Sequence, residues 1–190
     1  MHPVPWMVLI GPAAAGKSTI GDGSATVTGR AFIDVDDLGE TYYAEVGWSM
    51  DRLRNRIRAV GRAAAEQEWE PARAHAVERV VADHPGAIVS LGAGHSHYTR
   101  PELFRRVQAA LRPVGHVVLV LPALDPERSV EVLRQRSITA KGTDWIGEDG
   151  HDFLRRWVHH PGNRTLATTV LCTEGEEPEQ SVGRLMSTCG

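Results

Sequence analysis

The chain has 190 residues, 42% of them hydrophobic, and a formal net charge of −3, which suits one α/β domain over residues 1–190 and leaves no room for a second full domain. Without an overall basic field or an apolar stretch of bilayer length, nucleic acid and membrane are not expected as partners. Cys172 and Cys189 read as reduced thiols, and with no leader-like segment at the start the protein is expected in the cytoplasm.

The first predicted strand is the apolar run Trp6–Ile10, followed at once by Gly11-Pro12-Ala13-Ala14-Ala15-Gly16-Lys17-Ser18-Thr19 and a helix over Lys17–Val27. A strand, a small-residue loop and a helix start in that order make a phosphate cradle. Backbone N–H groups wrap the anion and the positive end of the helix dipole faces it. Gly11, Ala13, Ala14, Ala15, Gly16, Lys17, Ser18 and Thr19 are therefore the expected nucleotide loop. Lys17 reaches the β and γ phosphates and the Ser18 hydroxyl ligates Mg2+. Lys17 and Lys141 are the only lysines of the chain.

The second strand, Ala31–Val35, carries Asp34 and, by a period of two, Asp36 to the same side at its carboxyl end, where open α/β sheets bind ligands. Asp37 is the expected cap of the next helix. Residues 37–70 form a long arginine-rich insertion, and a helical stretch over Met50–Ala82 is expected to break near Trp69-Glu70-Pro71, since proline is best placed in a first helical turn. The row Arg52, Arg54, Arg56, Arg58 and Arg62 reads either as a solvated helix face or as an anion surface.

Strands at Ala87–Leu91, His116–Leu121 and Thr168–Cys172 alternate with helices at Pro101–Leu111, Pro126–Arg136 and Asp152–His159, with a closing helix at Glu179–Met186. Alternation of this kind predicts an α/β three-layer sandwich around a five-stranded parallel sheet. Residues 137–150 are polar and glycine-bearing and read as a lid, with Trp145 either closing on ligand or docking on the protein. His95 and His97 come after the third strand, where they contact an acceptor, lie in solvent or, less readily, ligate a metal. His159 and His160 read as helix-end residues.

Asp34 lies seventeen residues after Lys17, and with Phe32-Ile33-Asp34-Val35-Asp36 the chain resembles the shikimate kinase family. The likeness continues through Glu66-Gln67-Glu68-Trp69, Gly92-Ala93-Gly94, Arg134–Arg136 and Arg164-Thr165-Leu166-Ala167. It implies a P-loop kinase that moves the γ-phosphate of ATP or GTP to an alcohol, with Ser18 and Asp34 organising Mg2+ and Asp36 positioning or deprotonating the acceptor. It also implies that Arg136 packs on the nucleotide base and that Gly92 and Gly94 line the acceptor. Arg134 is a further nucleotide candidate, Ala93 and His95 are further acceptor candidates, and Lys141, the only cation of a lid that lacks the family's usual arginine, is expected to cover the phosphates. Arg164 would grip an acceptor carboxylate.

Glu70 stands where that family keeps a second carboxylate-binding arginine, and like charges in one site oppose each other. Arg73, three residues on, is a compensating candidate. With Glu70 facing the acceptor, Ala93 in place of a glycine and an enlarged lobe, shikimate is not the expected substrate. The changed pocket resembles small antibiotic-modifying kinases such as the chloramphenicol and capuramycin phosphotransferases. The expected partners are a nucleoside triphosphate and a small acceptor, bound by a monomer or homodimer. Shikimate kinase activity proper and a nucleotide-dependent switch stay open.

Overall fold

The computed structural model describes residues 3–189. Its sheet is parallel throughout, in the order β2-β3-β1-β4-β5, with β1 at Met7–Ile10, β2 at Phe32–Asp34, β3 at Ile88–Ser90, β4 at His116–Leu121 and β5 at Thr169–Cys172. The sandwich foreseen from the alternation is present. β1 is central and wholly buried, so its alternate side chains enter two cores. Val8 and Ile10 pack on one face with Tyr43, Val77 and Val80, while Met7 and Leu9 pack on the other with Ile20, Leu133 and Leu154.

The helices are α1 (Lys17–Thr28), α2 (Val35–Ala44), α3 (Met50–Val60), α4 (Arg62–Asp83), α5 (Pro101–Leu111), α6 (Pro126–Lys141), α7 (Phe153–His159), α8 (Pro161–Leu166) and α9 (Pro178–Cys189). Three departures from the sequence expectation bear on the site. β2 stops at Asp34 because the Asp34 side chain accepts from the Asp36 amide and starts α2. Asp36 is therefore helical, Asp34 rather than Asp37 is the cap, and a local side-chain bond has ended a strand that the β-branched Val35 would have continued.

The break in the long helical stretch falls at Gly61, not near Pro71. Gly61 has φ 80° and ψ 160°, closes α3 by donating to the Ile57 carbonyl and opens α4, a backbone state that favours glycine. Pro71 lies inside α4, which the packing of Ala72, Ala74, Ala76 and Val77 holds together around it. The segment expected as a lid from residue 137 begins as helix, since nothing before Gly142 stops α6; Gly142, at φ 64°, then ends it in the left-handed conformation.

Candidate active site

The carboxyl end of β1 runs into the loop Gly11–Gly16. Gly11 has φ 137°, and a Cβ there would sit 2.5 Å from the Val120 carbonyl oxygen of β4, so close packing of loop on sheet demands glycine. Ala14 at φ 60° and Gly16 at φ 95° turn the chain into α1. Lys17 folds back over this loop, its Nζ donating to the Pro12 carbonyl at 2.9 Å. Burial lowers its pKa to about 8, against the opposing pull of Asp36 and Asp34.

Ser18 Oγ donates to Asp34 Oδ2 at 2.5 Å, while Asp34 Oδ1 accepts from the Asp36 amide at 3.0 Å. One carboxylate thus ties the phosphate loop to the start of α2. The hydroxyl and carboxylate are hard oxygen donors side by side, which fits Mg2+, an ion that takes one or two protein oxygens and completes its shell with phosphate and water. Asp36 lies one helical step further, and burial followed by the nearby Asp34 charge raises its pKa, with Lys17 and Lys141 opposing.

These groups share a cavity of about 430 Å3 with the loop after β3. Ala13, Ala14, Gly16, Lys17, Ser18, Thr19, Asp36 and Lys141 line it from the phosphate loop and the helices that follow, and Ser90, Gly92, Ala93, Gly94, His95 and Arg73 from the end of β3, the loop after it and α4. Lys141 reaches it as the last residue of α6. Trp145, at φ 61°, stands over Trp157 edge to face with 5.1 Å between centroids, and Arg62 covers its ring at 4.8 Å. Trp145 also lines the cavity, so one side chain both docks on the protein and faces the space open to ligand.

Not every expected residue arrives. Glu70 is buried away from this cavity: its carboxylate accepts from the Thr99 amide at 2.7 Å, the Thr99 hydroxyl at 2.8 Å and the Arg100 amide at 3.3 Å, so it anchors the start of α5. Arg73, one turn on, is the residue that faces the cavity; it donates to the Gly94 and Glu66 carbonyls, and its Nε finds no acceptor. Arg164 sits outside on α8, within 3.5 Å of the Leu124 carbonyl. Helix α8, opened by Pro161 and capped by His160, carries it there.

Arg134 binds the Asp144 carbonyl and the Asp152 carboxylate, each at 2.5 Å, and so clamps the segment after α6 instead of a nucleotide. Arg136 fares differently. It lines a second hollow with Ala15, Gly16, Thr19, Thr173 and Pro178, beside the phosphate loop. His95 and His97 are buried and diverge: His95 meets the Tyr43 hydroxyl at 2.9 Å, and His97 accepts from Arg156 Nε at 3.0 Å. Neither the solvent nor the shared-metal alternative fits that arrangement.

The site residues that sequence reasoning missed, Arg62, Glu66 and Trp69, lie on α4 with the expected Arg73. All four line the cavity, and their spacing of four, three and four is one helical stripe. That signal becomes readable only when the break is set at Gly61. The rest of the arginine row is solvated as its bland reading had it, with Arg54 paired to Asp51 and Arg56 to Glu68 on the surface.

The shikimate kinase model of protein families matches residues 13–189. The chain belongs to the shikimate kinase family. Family membership makes it a phosphotransferase acting on an alcohol group of a small molecule, with ATP as co-substrate and Mg2+ as the usual ion. Shikimate kinase from Acinetobacter baumannii, solved in complex with shikimate, superposes with a TM-score of 0.69 at 19% identity over 98% of this chain and 92% of that one. Shikimate kinase from Bacteroides thetaiotaomicron gives 0.60 at 20% over 97% of each. A gluconokinase from Sinorhizobium meliloti 1021 gives 0.55 at 15% over 98% and 95%. At these identities the superpositions establish the fold. No curated protein matches the sequence. Among the described residues no helix is long and apolar enough to cross a membrane.

Proposed function

We propose that this kinase transfers the γ-phosphoryl group of ATP to a hydroxyl of a polyhydroxylated small molecule that also carries an anionic group. The observation that carries the acceptor class is Arg73: a buried guanidinium on the cavity wall whose Nε has no acceptor. Trp69 Nε1 and Trp145 Nε1, from two further lining residues, are likewise buried without acceptors. Buried donors left unpaired are costly, and an oxygen-rich acid supplies what they lack. Shikimate and gluconate, the substrates in the names of the superposed kinases, have that chemistry. The charge argument against shikimate needs Glu70 to face the acceptor, and with Arg73 in its place that repulsion is gone; Ala93 and the enlarged lobe still reshape the cavity.

In the proposed reaction the acceptor hydroxyl gives its proton to Asp36 as its oxygen attacks the γ-phosphorus, and the bond from that phosphorus to the departing diphosphate breaks. Lys17 and Lys141 follow the charge on the transferring group, which is where electrostatic help counts most. Mg2+ held by Ser18 and Asp34 would neutralise phosphate charge. Asp36 suits the acceptor because its raised pKa makes it a stronger base than an exposed aspartate. Arg136 marks the base end of the nucleotide, with ATP preferred to GTP on family grounds. The protein acts in the cytoplasm as a monomer or homodimer, without nucleic acid or membrane.

A second reading, phosphorylation of a bulkier neutral acceptor such as an antibiotic, draws support from the wall formed by Trp69, Trp145 and Trp157. Coupled measurement of ADP release with shikimate, D-gluconate and a panel of hydroxylated antibiotics decides between them. Turnover confined to neutral antibiotics overturns the anionic-acceptor reading, and ADP release unaffected by any acceptor overturns both.

A further inference from the structure

On the kinase reading, on which this inference rests, the acceptor hydroxyl needs a partner that orients it toward Asp36. Along α2, Asp36, Gly39 and Tyr43 succeed one another at three and four residues and so share a face. Gly39 is the small member: a Cβ there would lie 2.7 Å from the Tyr43 hydroxyl oxygen, so its absence lets the phenol lean back along the helix. From there Tyr43 reaches His95 Nε2 at 2.9 Å, with the two rings stacked 22° apart and Trp69 edge-on to both.

The other ring nitrogen, His95 Nδ1, lies 3.3 Å from the Gly92 carbonyl oxygen. A carbonyl only accepts, so Nδ1 carries the proton, and Nε2 is left to accept from Tyr43. Burial, reinforced by the Arg73 charge, holds the His95 pKa down at about 3, so the imidazole stays neutral. Burial likewise raises the Tyr43 pKa and keeps the phenol a donor. Gly92 completes the arrangement: a Cβ on it would meet Asp36 Oδ1 at 2.6 Å on one side and His95 Nδ1 at 2.8 Å on the other. Only a glycine leaves these two polar atoms, an acceptor and a donor, facing each other across its Cα.

We propose that His95 orients the acceptor hydroxyl: with its tautomer set by the Gly92 carbonyl and matched by the Tyr43 donor, its Nδ1–H, held by that carbonyl only at 3.3 Å, is shared with the hydroxyl oxygen beside Gly92 while that hydroxyl donates its own proton to Asp36. The two bonds leave one lone pair of the oxygen free for phosphorus. No net proton passes through His95, which is neutral before and after the transfer, and Tyr43 acts only through the imidazole.

The test joins a spectroscopic and a kinetic readout on the full chain. Long-range 15N–1H NMR of the histidine rings is expected to show His95 as the Nδ1–H tautomer, and Tyr43→Phe to mix the tautomers; an Nε2–H form in the parent overturns the proposal. ADP formation is measured with water, shikimate and D-gluconate as acceptors. His95→Leu is expected to lower kcat roughly tenfold or more with nucleotide affinity unchanged, whereas His95→Asn, whose amide N–H stands near the Nδ1 position, recovers part of it. A purely structural His95 gives the reverse order, since leucine is better tolerated than asparagine in a buried site; kcat for His95→Leu within about twofold of the parent, or no gain with asparagine, overturns the assignment. Full turnover by Asp36→Asn, or no ADP from the parent with any acceptor, rejects the kinase reading, while the tautomer result still reports on the Tyr43–His95 pair.

Discussion

Glu70 and Arg73 lie one turn apart on α4 and serve different compartments: Arg73 faces the cavity, whereas the Glu70 carboxylate caps the approach to α5 through Thr99 and Arg100. Their charges approach only to 4.0 Å, so the pair is a weak ion pair and each residue has its principal partners elsewhere. This separation lets an acidic residue occupy a position expected to touch the acceptor without repelling an anionic one.

Glu70→Ala is therefore expected to destabilise the fold. It removes the acceptor shared by three part-buried donors of Thr99 and Arg100, residues that solvent also reaches, a cost of about 2 kcal/mol, or a Tm lower by roughly 4–8 °C for a domain of this size. KM values for acceptors measured well below the new Tm should be unchanged. A selective rise in acceptor KM with Tm intact would return Glu70 to the binding site.

Arg73→Lys keeps a charge but loses the planar fork and its Nε donor. With an anionic acceptor, KM should rise about 10- to 100-fold while the nucleotide Kd holds. With a neutral acceptor the change should be small. Equal losses for both acceptor types in steady-state kinetics would show that Arg73 supports the Gly94 loop and does not recognise charge.

Much of this site is legible in the sequence because its nucleotide half is local. Gly11 to Thr19 declares itself by composition and by its place between a buried strand and a helix, and the alternation of apolar runs reveals the sheet. The acceptor half depends on tertiary relationships. Motif position alone puts Glu70 against the acceptor, but which face of α4 meets the cavity depends on where the helix begins, and that is set by the φ of Gly61. Arg164 misleads for a similar reason, because α8, started by Pro161, is too short to show a period and carries the side chain away from the cavity. Tyr43 gives no signal of its own, since its partner His95 lies fifty-two positions away.

The depressed pKa of Lys17, about 8 in the free protein, makes nucleotide affinity pH-dependent on the alkaline side. Phosphate binding favours the ammonium, so below this value the cation is already present and Kd is flat. Above it, binding must take up a proton, and Kd should weaken by about tenfold per pH unit. Calorimetry of Mg–nucleotide binding in buffers of different ionisation enthalpy measures the proton directly. Lys17→Arg should remove the dependence, and a flat parent Kd between roughly pH 7 and 10 would mean that Lys17 does not titrate there.

Asp34 and Asp36 are neighbours with separate tasks. Asp34 is held by Ser18 and by the start of α2, with its oxygens placed for an ion, so Asp34→Asn, which still caps the helix, should raise the Mg2+ concentration for half-maximal rate and lower kcat less at saturating Mg2+. Asp36→Asn removes the base: kcat should fall roughly a hundredfold or more with nucleotide Kd and Mg2+ dependence nearly unchanged. The direction of the Asp36 shift gives the sign of the pH effect. A carboxylate whose pKa is raised by burial and by Asp34 stays protonated to a higher pH than a free aspartate, so the acid limb of the rate profile should lie above the ordinary value of 3.8. Asp34→Asn removes the neighbouring negative charge and should move that limb toward lower pH. Mg2+ titrations and pH–rate profiles of both variants measure the division; identical Mg2+ dependence in the two, or an acid limb unmoved by Asp34→Asn, would show the carboxylates acting as one group.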